Sequence, residues 1–545
     1  MLFPFNPASK HEDYIKRLPQ WTRQRDAVEG EDAIKAAGQT YLRKLGGQPV
    51  QSPSVASGND LPLVSYEDYK DRATFMNATG RTRDGLVGAI MRKEPELDWP
   101  KSDEAFLLSA GRNQESFVEI RDEALSETIG IGRYGQLVDA SSFSQNSDPY
   151  VASYFAETIT DWEQEEVDGR IKPVRIHLRE SATITNPEGE RQSIERYRVL
   201  WLGLYPMPRN EEEDALYKAD LTEWLKLSGT SLEELGGNPV YFQEVWEEIV
   251  TADDGRSGNS SQDKRFVRVQ VSIPRAKGGA LLRSIPFTFF NPTGTRTKPE
   301  KPTLLDLTVV NIAHYKNSAD LEHGAHFTAL PQPWISGFTF KGPLYLGSAT
   351  AWVTETPGAQ AGYLEFTGQG LGFLKELMAE KKKEMAALGA RLLETQSPAG
   401  SAEAAETVKL RQSGETSVLA KLSIGVSQGL SGTMRWLAVF RGKLNEKDIP
   451  KSSLGIRLNL DFGVDPMSSD MINAIMGLVQ AGHMSWNTAF WNFKRGELAP
   501  GTLTEEQEAI RIEAGTPGGM EPPVKKPTKV AEDLDDDLTE ESPEE

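Results

Sequence analysis

The sequence predicts an α+β protein, mainly helical, built from several structural units. Three observations predict it. The chain has 545 residues, more than one core serves at about 100–200 residues per unit, so three or four units are expected. Long runs near both ends repeat apolar residues every three or four positions, the helical period. Between them lie short runs that alternate apolar and polar residues, the strand period.

Taken in order, residues 1–60 read as an N-terminal arm that mixes helix-like patches with QPVQSPSVASGNDLP, a turn-rich segment of Ser, Pro and Gly. Ser65 followed by Asp68 resembles a capping box, and Tyr66, Tyr69, Ala73 and Met76 recur at helical spacing, so a helix pair or a helix broken near Gly80 is expected. A second helical run over 102–129 carries Phe106, Leu107, Ala110, Phe117, Ile120 and Leu125 on one side, and a third is expected over 149–166. The pattern then changes. KPVRIHLRE, RYRVLWLGLY and FVRVQVSIP, in which Val267, Val269 and Val271 alternate with polar partners, predict an antiparallel sheet interrupted by an acidic, helix-prone insertion at 210–250.

Helical pattern returns at Leu304, yields to a Pro-, Gly- and Trp-containing stretch over 330–370, and resumes at Leu371. The run from Leu371 places Leu374, Leu377, Met378, Met385, Leu388 and Leu392 on one side and the cluster Lys381, Lys382, Lys383 towards another. A small-residue separator at about 395–415 leads into a helix whose Leu419, Leu422, Val426, Leu430, Met434 and Leu437 keep steps of three or four. RLNLDFGV and helices over 468–481 and 504–513 follow, and from 516 onward a Pro-, Gly- and acid-rich composition predicts a disordered tail.

Composition bounds the function. Hydrophobic residues at 38% and charged ones at 26% are ordinary for a folded chain. The opening residues hold no signal-like apolar run and no stretch nears the ~18 apolar residues of a membrane span, so neither export nor a membrane partner is expected. Cysteine is absent, which removes disulfides, thiolate metal sites and cysteine nucleophiles together. A formal charge of −20 argues against gripping nucleic acid by phosphate neutralisation, yet suits a wall past which DNA must slide.

Catalytic motifs fail on context. Gly130, Gly132 and Gly135 in GIGRYG match a dinucleotide fingerprint, but a helical run precedes them and the strand-like QLVDAS follows, the reverse of what pyrophosphate binding needs; a helix-ending turn is expected. Ser427 in GVSQG matches the nucleophile elbow, but falls mid-helix, where its glycines suit close packing or a kink. His314 and His323 fall on opposite sides of one helix at 100° per residue, and EHGAH, which includes His326, is not the HExxH order. RGKL around Lys443 lacks the rest of a Walker A sequence. No enzyme activity, cofactor or metal is expected. Lys381, Lys382, Lys383, Lys409 and Arg411 are the candidates for touching phosphate, set against the plainer reading of a solvated face or ion pairs between subunits.

From Ser65 to about Gly515 the chain carries a succession of landmarks: YEDYKDRATFMNATGRTRDGLVGAIMRKEP, GRYGQLVDA then PYVASYFAETITDW, KPTLLDLTVVNIAHYKNSADLEHGAHFTALPQP, GYLEFTGQGLGFLKELMAEKKKEMAALGARLL and RLNLDFGVDPMS. In this order they resemble tailed-bacteriophage portal proteins, in particular a portal-like family formerly catalogued as a domain of unknown function. The resemblance implies a portal fold assembled as a ring, usually a dodecamer, around a channel for double-stranded DNA. It implies a wing at 61–300, stem helix 1 at 301–330, a clip at 331–370, stem helix 2 at 371–395, a tunnel loop at 396–415, a wing helix and strand at 416–465 and a crown at 466–515. The implied partners are further copies of the chain, DNA bound without sequence preference, the terminase large subunit, adaptor or head-completion and tail proteins, and major capsid and scaffolding proteins. The implied location is the unique capsid vertex of the virion, after assembly in the host cytoplasm. The 210–250 insertion and the acidic tail match no element of that family. The alternatives are a capsid connector or scaffold without a channel, and a hydrolase built on Ser427 or the histidines.

Overall fold

The computed structural model describes residues 6–44, 66–140, 148–203 (except 168, 186–188 and 190), 226, 239–249, 265–328, 332–337, 353–364, 369–393, 405–460, 462, 467, 469–495, 498 and 505–515. The turn-rich segment at 48–62, nearly all of the 210–250 insertion before residue 239, the middle of the 331–370 stretch, the first half of the 396–415 separator and the tail from 516 lie outside them. Within these residues the chain is mixed helix and sheet, an α+β protein, and divides into two compact units, Met1–Gly463 and Val464–Glu545.

The first unit opens with α1 (Glu12–Glu29) and α2 (Glu31–Ala36), with the His11 ring accepting the Asp13 backbone N–H at 3.0 Å as the cap of α1. Next come α3 (Tyr66–Arg72) and α4 (Ala78–Met91). The helix break lies at 73–77 and not at Gly80, because Asn77 Oδ1 accepts the Gly80 N–H at 2.7 Å and so starts α4 there. Strand β1 (Glu96–Asp98) and a 3-10 segment (Lys101–Ser109) precede α5 (Phe117–Gly130), which begins with a Ser116–Glu119 capping box. The expected single run over 102–129 is therefore two pieces.

Strands β2 (Tyr134–Asp139), β3 (Tyr150–Phe155) and β4 (Ile159–Val167) follow. These replace the helix expected over 149–166. Tyr150, Val151, Tyr154, Phe155, Ile159 and Trp162 fall at helix-compatible intervals, but they are aromatic or β-branched and suit a pleated, covered surface better. Then come β5 (Arg170–Thr185), β6 (Arg191–Gly203), β7 (Val240–Ile249) and β8 (Arg265–Ser272), forming an antiparallel sheet in the order β4-β5-β6-β7-β8. Strand β7 occupies the end of the span read as a helix-prone insertion. A small hairpin of β9 (Arg275–Ala276) and β10 (Ala280–Leu281) leads to β11 (Phe287–Phe290), which completes a second sheet in the order β11-β2-β3.

Helix α6 (Leu305–Thr328), strands β12 (Gln332–Ser336) and β13 (Gln360–Leu364), and α7 (Gln369–Leu393) come next. Helix α8 (Ala405–Phe440) begins ten residues inside the segment expected to be a loop; Ala405, Glu406, Lys409, Leu410, Arg411 and Gln412 are all ready helix formers. β14 (Gly455–Arg457) pairs with β1. The core lies where α8 crosses the smaller sheet: Leu419, Leu422, Val426, Leu430, Met434 and Leu437 are all buried, as their spacing predicts. The approach is close because α8 presents glycines there. A Cβ on Gly429 would lie 2.3 Å from the Phe290 ring, and one on Gly425 2.8 Å from the Pro292 carbonyl.

The second unit holds α9 (Ser469–Gln480), α10 (Trp486–Arg495) and α11 (Glu505–Gly515). The middle helix has no counterpart in the sequence reading.

Candidate functional site

Helices α6 and α7 form an antiparallel pair. β12 and β13 pair Gln332 with Leu364, which brings the end of α6 and the start of α7 together. A Cβ on Gly324 would lie 2.7 Å from Leu371 Cδ2, and Lys381 and Lys382 sit beside His314, so both contacts keep one antiparallel register. At 24 and 25 residues each helix is about 36 Å long. The hairpin extends this stalk at its far end.

The near end of α6 is fastened to the N-terminal helices chiefly by hydrogen bonds. Thr308 Oγ1 donates to Gln24 Oε1 of α1 and lies 3.4 Å from Thr79 Oγ1 of α4. Asn311 Oδ1 accepts the Ala78 N–H at 3.3 Å, Ser318 Oγ accepts the Thr74 N–H at 2.8 Å, and Tyr69 OH donates to Asp320 at 2.6 Å. Burial first and the Asp320 carboxylate second push the Tyr69 phenol well above its usual range, so it stays a donor. Ile312, Tyr315 and Ala319 fill the apolar gaps against Tyr69, Ala73 and Phe75.

Helix α7 is held far less. Between Gly370 and Gly389 only Met385 and Gly389 are buried; Leu374, Leu377 and Met378 are half-covered and Phe373 is 66% exposed. Gly389 lets α4 approach, since a Cβ there would meet Thr82 Oγ1 at 2.9 Å.

The candidate phosphate contacts divide. Lys381, Lys382 and Lys383 lie in mid-α7, Lys381 half-buried and the other two exposed, and none makes an ion pair among the described residues. The charges of Lys382 and Lys381, after burial itself, hold the His314 imidazole below its ordinary pKa, so it is neutral at pH 7. Lys409 and Arg411 lie in the first turns of α8 and not in a loop; their side chains lie outside the described residues.

The rejected motifs fall where their context placed them. Gly130, Gly132 and Gly135 span the end of α5 and the start of β2, with Gly132 at φ 89° making the turn against Pro302. Ser427 lies inside α8, donating to the Ser423 carbonyl at 2.6 Å and accepting the Leu458 N–H at 3.0 Å, so its hydroxyl fastens the strand after it. His314 is buried in α6, and His323 stands edge-on to Tyr69 at 5.2 Å. Among the described residues no group of three His, Cys, Asp or Glu side chains converges to hold a metal ion, and no described helix is long and apolar enough to cross a membrane.

One residue that sequence reading passed over organises a surface. Arg133 is fully buried, its guanidinium between Trp162 and the Phe289 ring, and it donates to Asn291 Oδ1 at 3.0 Å and to the carbonyls of Arg296 at 3.1 Å and Thr297 at 2.7 Å. Burial pushes its pKa down to about 9, still charged at neutral pH. The loop at 291–298 is thereby pinned from beneath. An arginine directly after a helix-ending Gly-Ile-Gly carries no sequence signal for that role, because its partners lie about 160 positions further on.

Comparison with known proteins gives two findings. A family described as a domain of unknown function, DUF4055, matches residues 303–441, the span of α6 through α8. Among solved structures, the chain is similar at 12% identity to a chain in the neck of a native GTA particle computed with C12 symmetry, covering 76% of this chain and 88% of that one, with a TM-score of 0.35. A chain in the neck of an empty GTA particle computed with C6 symmetry aligns at 11% identity over 80% and 90%, TM-score 0.35. One in the virion of a native gene transfer agent particle aligns at 11% over 80% and 89%, TM-score 0.32. No curated protein matches.

Proposed function

We propose that this chain is the subunit of a phage-type portal, a ring at one capsid vertex through which double-stranded DNA passes during packaging and ejection. The observation that carries the reading is the stalk. A helix with an apolar stripe along its length, only two residues of which are buried between 370 and 389, is not a stable end state for one copy. Neighbouring copies around an axis supply the missing cover. The hairpin of β12 and β13 makes the same demand, since two strands with Trp334 and Tyr363 exposed are marginal alone.

In this reading α6 and α7 are the stem helices, the hairpin belongs to the clip, α8 is the wing helix and the second unit is the crown. Head-to-tail contacts generate the ring, because a heterologous interface closes by rotation. With a formal charge of −20 the wall repels phosphate, while Lys381, Lys382 and Lys383 supply scattered, weak attraction that slows the duplex without holding it. The clip offers the docking face for terminase during packaging and for adaptor proteins afterwards. Ser427 and the histidines take no catalytic part.

Electron microscopy of the purified full-length protein tests this. Rings with an axial passage as wide as a duplex are expected. A monomer sinks the reading, and a closed assembly without a passage makes the chain a connector or scaffold instead.

A further inference from the structure

The first unit carries two grooves of opposite character. One, of about 970 Å³, lies between α8, β11, β14 and the start of β5, and is lined by Arg296, Lys298, Arg435 and Arg457 with no carboxylate among its lining residues. Arg296 and Lys298 make no ion pair among the described residues, and Arg457 reaches only the equally exposed Glu96 at 3.6 Å. Ile171, Ile424 and Leu460 stand exposed among these cations. The backbone that carries both cations of the loop is held, because the buried Arg133 donates to the carbonyls of Arg296 and Thr297.

The other groove, of about 590 Å³, runs along β3 and the start of α5 and is lined by Glu115, Glu119, Glu123 and Glu180 together with Arg112, Arg179 and Arg196. Its three arginines are already engaged: Arg112 with Glu180 at 3.9 Å, Arg179 with Glu195 at 3.7 Å, and Arg196 with Glu247. Glu115, Glu119 and Glu123 accept only from Asn113, Ser116 and Tyr134 among the described residues. None of the three is paired with a cation among the described residues.

The grooves open on either edge of the smaller sheet, where the Phe287 ring of one and the Tyr154 ring of the other stand 6.0 Å apart. β11 and β3 are the two edges of one three-stranded sheet. Ile171 and Glu180, which line one groove each, sit nine residues apart on β5, about 30 Å along the strand.

We infer that the cationic groove receives the glutamate face of a second copy of this chain, giving the lateral contact of the assembly. This rests on the ring reading above. A heterologous contact needs two different, complementary patches on one protomer, and these grooves are such a pair. A protein occupant fits better than DNA, because phosphates leave Ile171, Ile424 and Leu460 in water whereas a protein surface covers them. A pinned loop loses little freedom on docking.

The absence of native cysteine provides the test. Asn113→Cys with Lys298→Cys in the full-length protein introduces two thiols and no others. A short bis-maleimide is expected to give a ladder of dimers, trimers and higher species from the double variant and monomer alone from either single variant. Arg296→Glu with Lys298→Glu, both exposed and checked for an unchanged unfolding midpoint, is expected to reduce native assembly at least about tenfold; Arg457→Glu is the substitute if that pair fails to fold. Rings seen by microscopy without a ladder overturn this contact and leave the ring standing. A monomer at all concentrations overturns both. Dimers from one single-cysteine variant overturn the head-to-tail form, and salt-sensitive retention of a DNA duplex that Arg296→Glu with Lys298→Glu abolishes, with no ladder, gives the groove to nucleic acid.

Discussion

Helices α7 and α8 follow one another in the chain and carry the same kind of apolar stripe, yet their fates differ. Every stripe residue of α8 from Leu419 to Leu437 is buried against β11, β2 and α5, and its glycines bring it onto Phe290 and the Pro292 carbonyl. The described part of α7 buries Met385 and Gly389 and leaves Phe373 in solvent. Periodicity sets which face of a helix seeks cover, and topology sets whether the same chain provides it. One helix belongs to a finished core, and the other leaves part of its stripe in solvent.

The sharpest way to break the contrast is to damage the finished side. Arg133→Ala leaves a cavity and strips three oxygens of their donor, so about 4 kcal/mol of unfolding free energy should be lost, read as a lowered denaturant midpoint. Gly429→Ala drives a methyl into the Phe290 ring at 2.3 Å and should cost about 2–3 kcal/mol in the same measurement.

A pH change probes the body through His177. It is buried under the N-terminal arm, with Nδ1 3.1 Å from Ser9 Oγ and 3.0 Å from the Pro7 carbonyl, and burial, then Arg175, hold its pKa down at about 4. The folded state binds its proton more weakly than the unfolded chain does, so stability is whole above the unfolded pKa near 6.5 and falls as pH drops from there towards about 4. Between pH 6.5 and 5 the loss should be about 2 kcal/mol. His177→Gln should flatten that slope in a series of thermal melts.

Smaller still, Ser427→Ala removes the acceptor of the Leu458 N–H and should cost about 1 kcal/mol without touching any hydrolytic turnover. Least of all, Phe373→Ser should leave unfolding of the isolated protein within about 0.5 kcal/mol. Its effect should appear in assembly, as a higher concentration for ring formation by analytical ultracentrifugation, and an equal loss of monomer stability would show that α7 is covered from within.

How much of this was legible in the sequence follows from where each partner lies. The α8 stripe could be read because each burial decision repeats every three or four residues. The α6 and α7 helices were equally plain. Residues 149–166 misled because β3 is covered on both faces, with Val151, Ala152 and Tyr154 all buried, so the alternation that marks a half-exposed strand is missing. Helix α10 left a fainter signal that could have been used: Ser485 Oγ accepts the Thr488 N–H at 3.3 Å as a cap, and Trp486, Ala489, Phe490 and Phe493 follow at helical steps. The candidate site was half legible. Spacing put Lys381 to Lys383 on an open helix, whereas the two complementary grooves are assembled from segments far apart in the chain and have no local pattern.

The polar fastenings of α6 carry a mechanical consequence. Thr308, Asn311, Ser318 and Asp320 each engage a fixed partner on α1, α3, the first residue of α4 or the loop before it. Apolar packing tolerates a slide of an ångström or two; directional bonds at four levels of one helix do not. An axial shift of one turn would break them all together. Helix α6 therefore cannot slide along the N-terminal helices without giving up every one of these bonds at once.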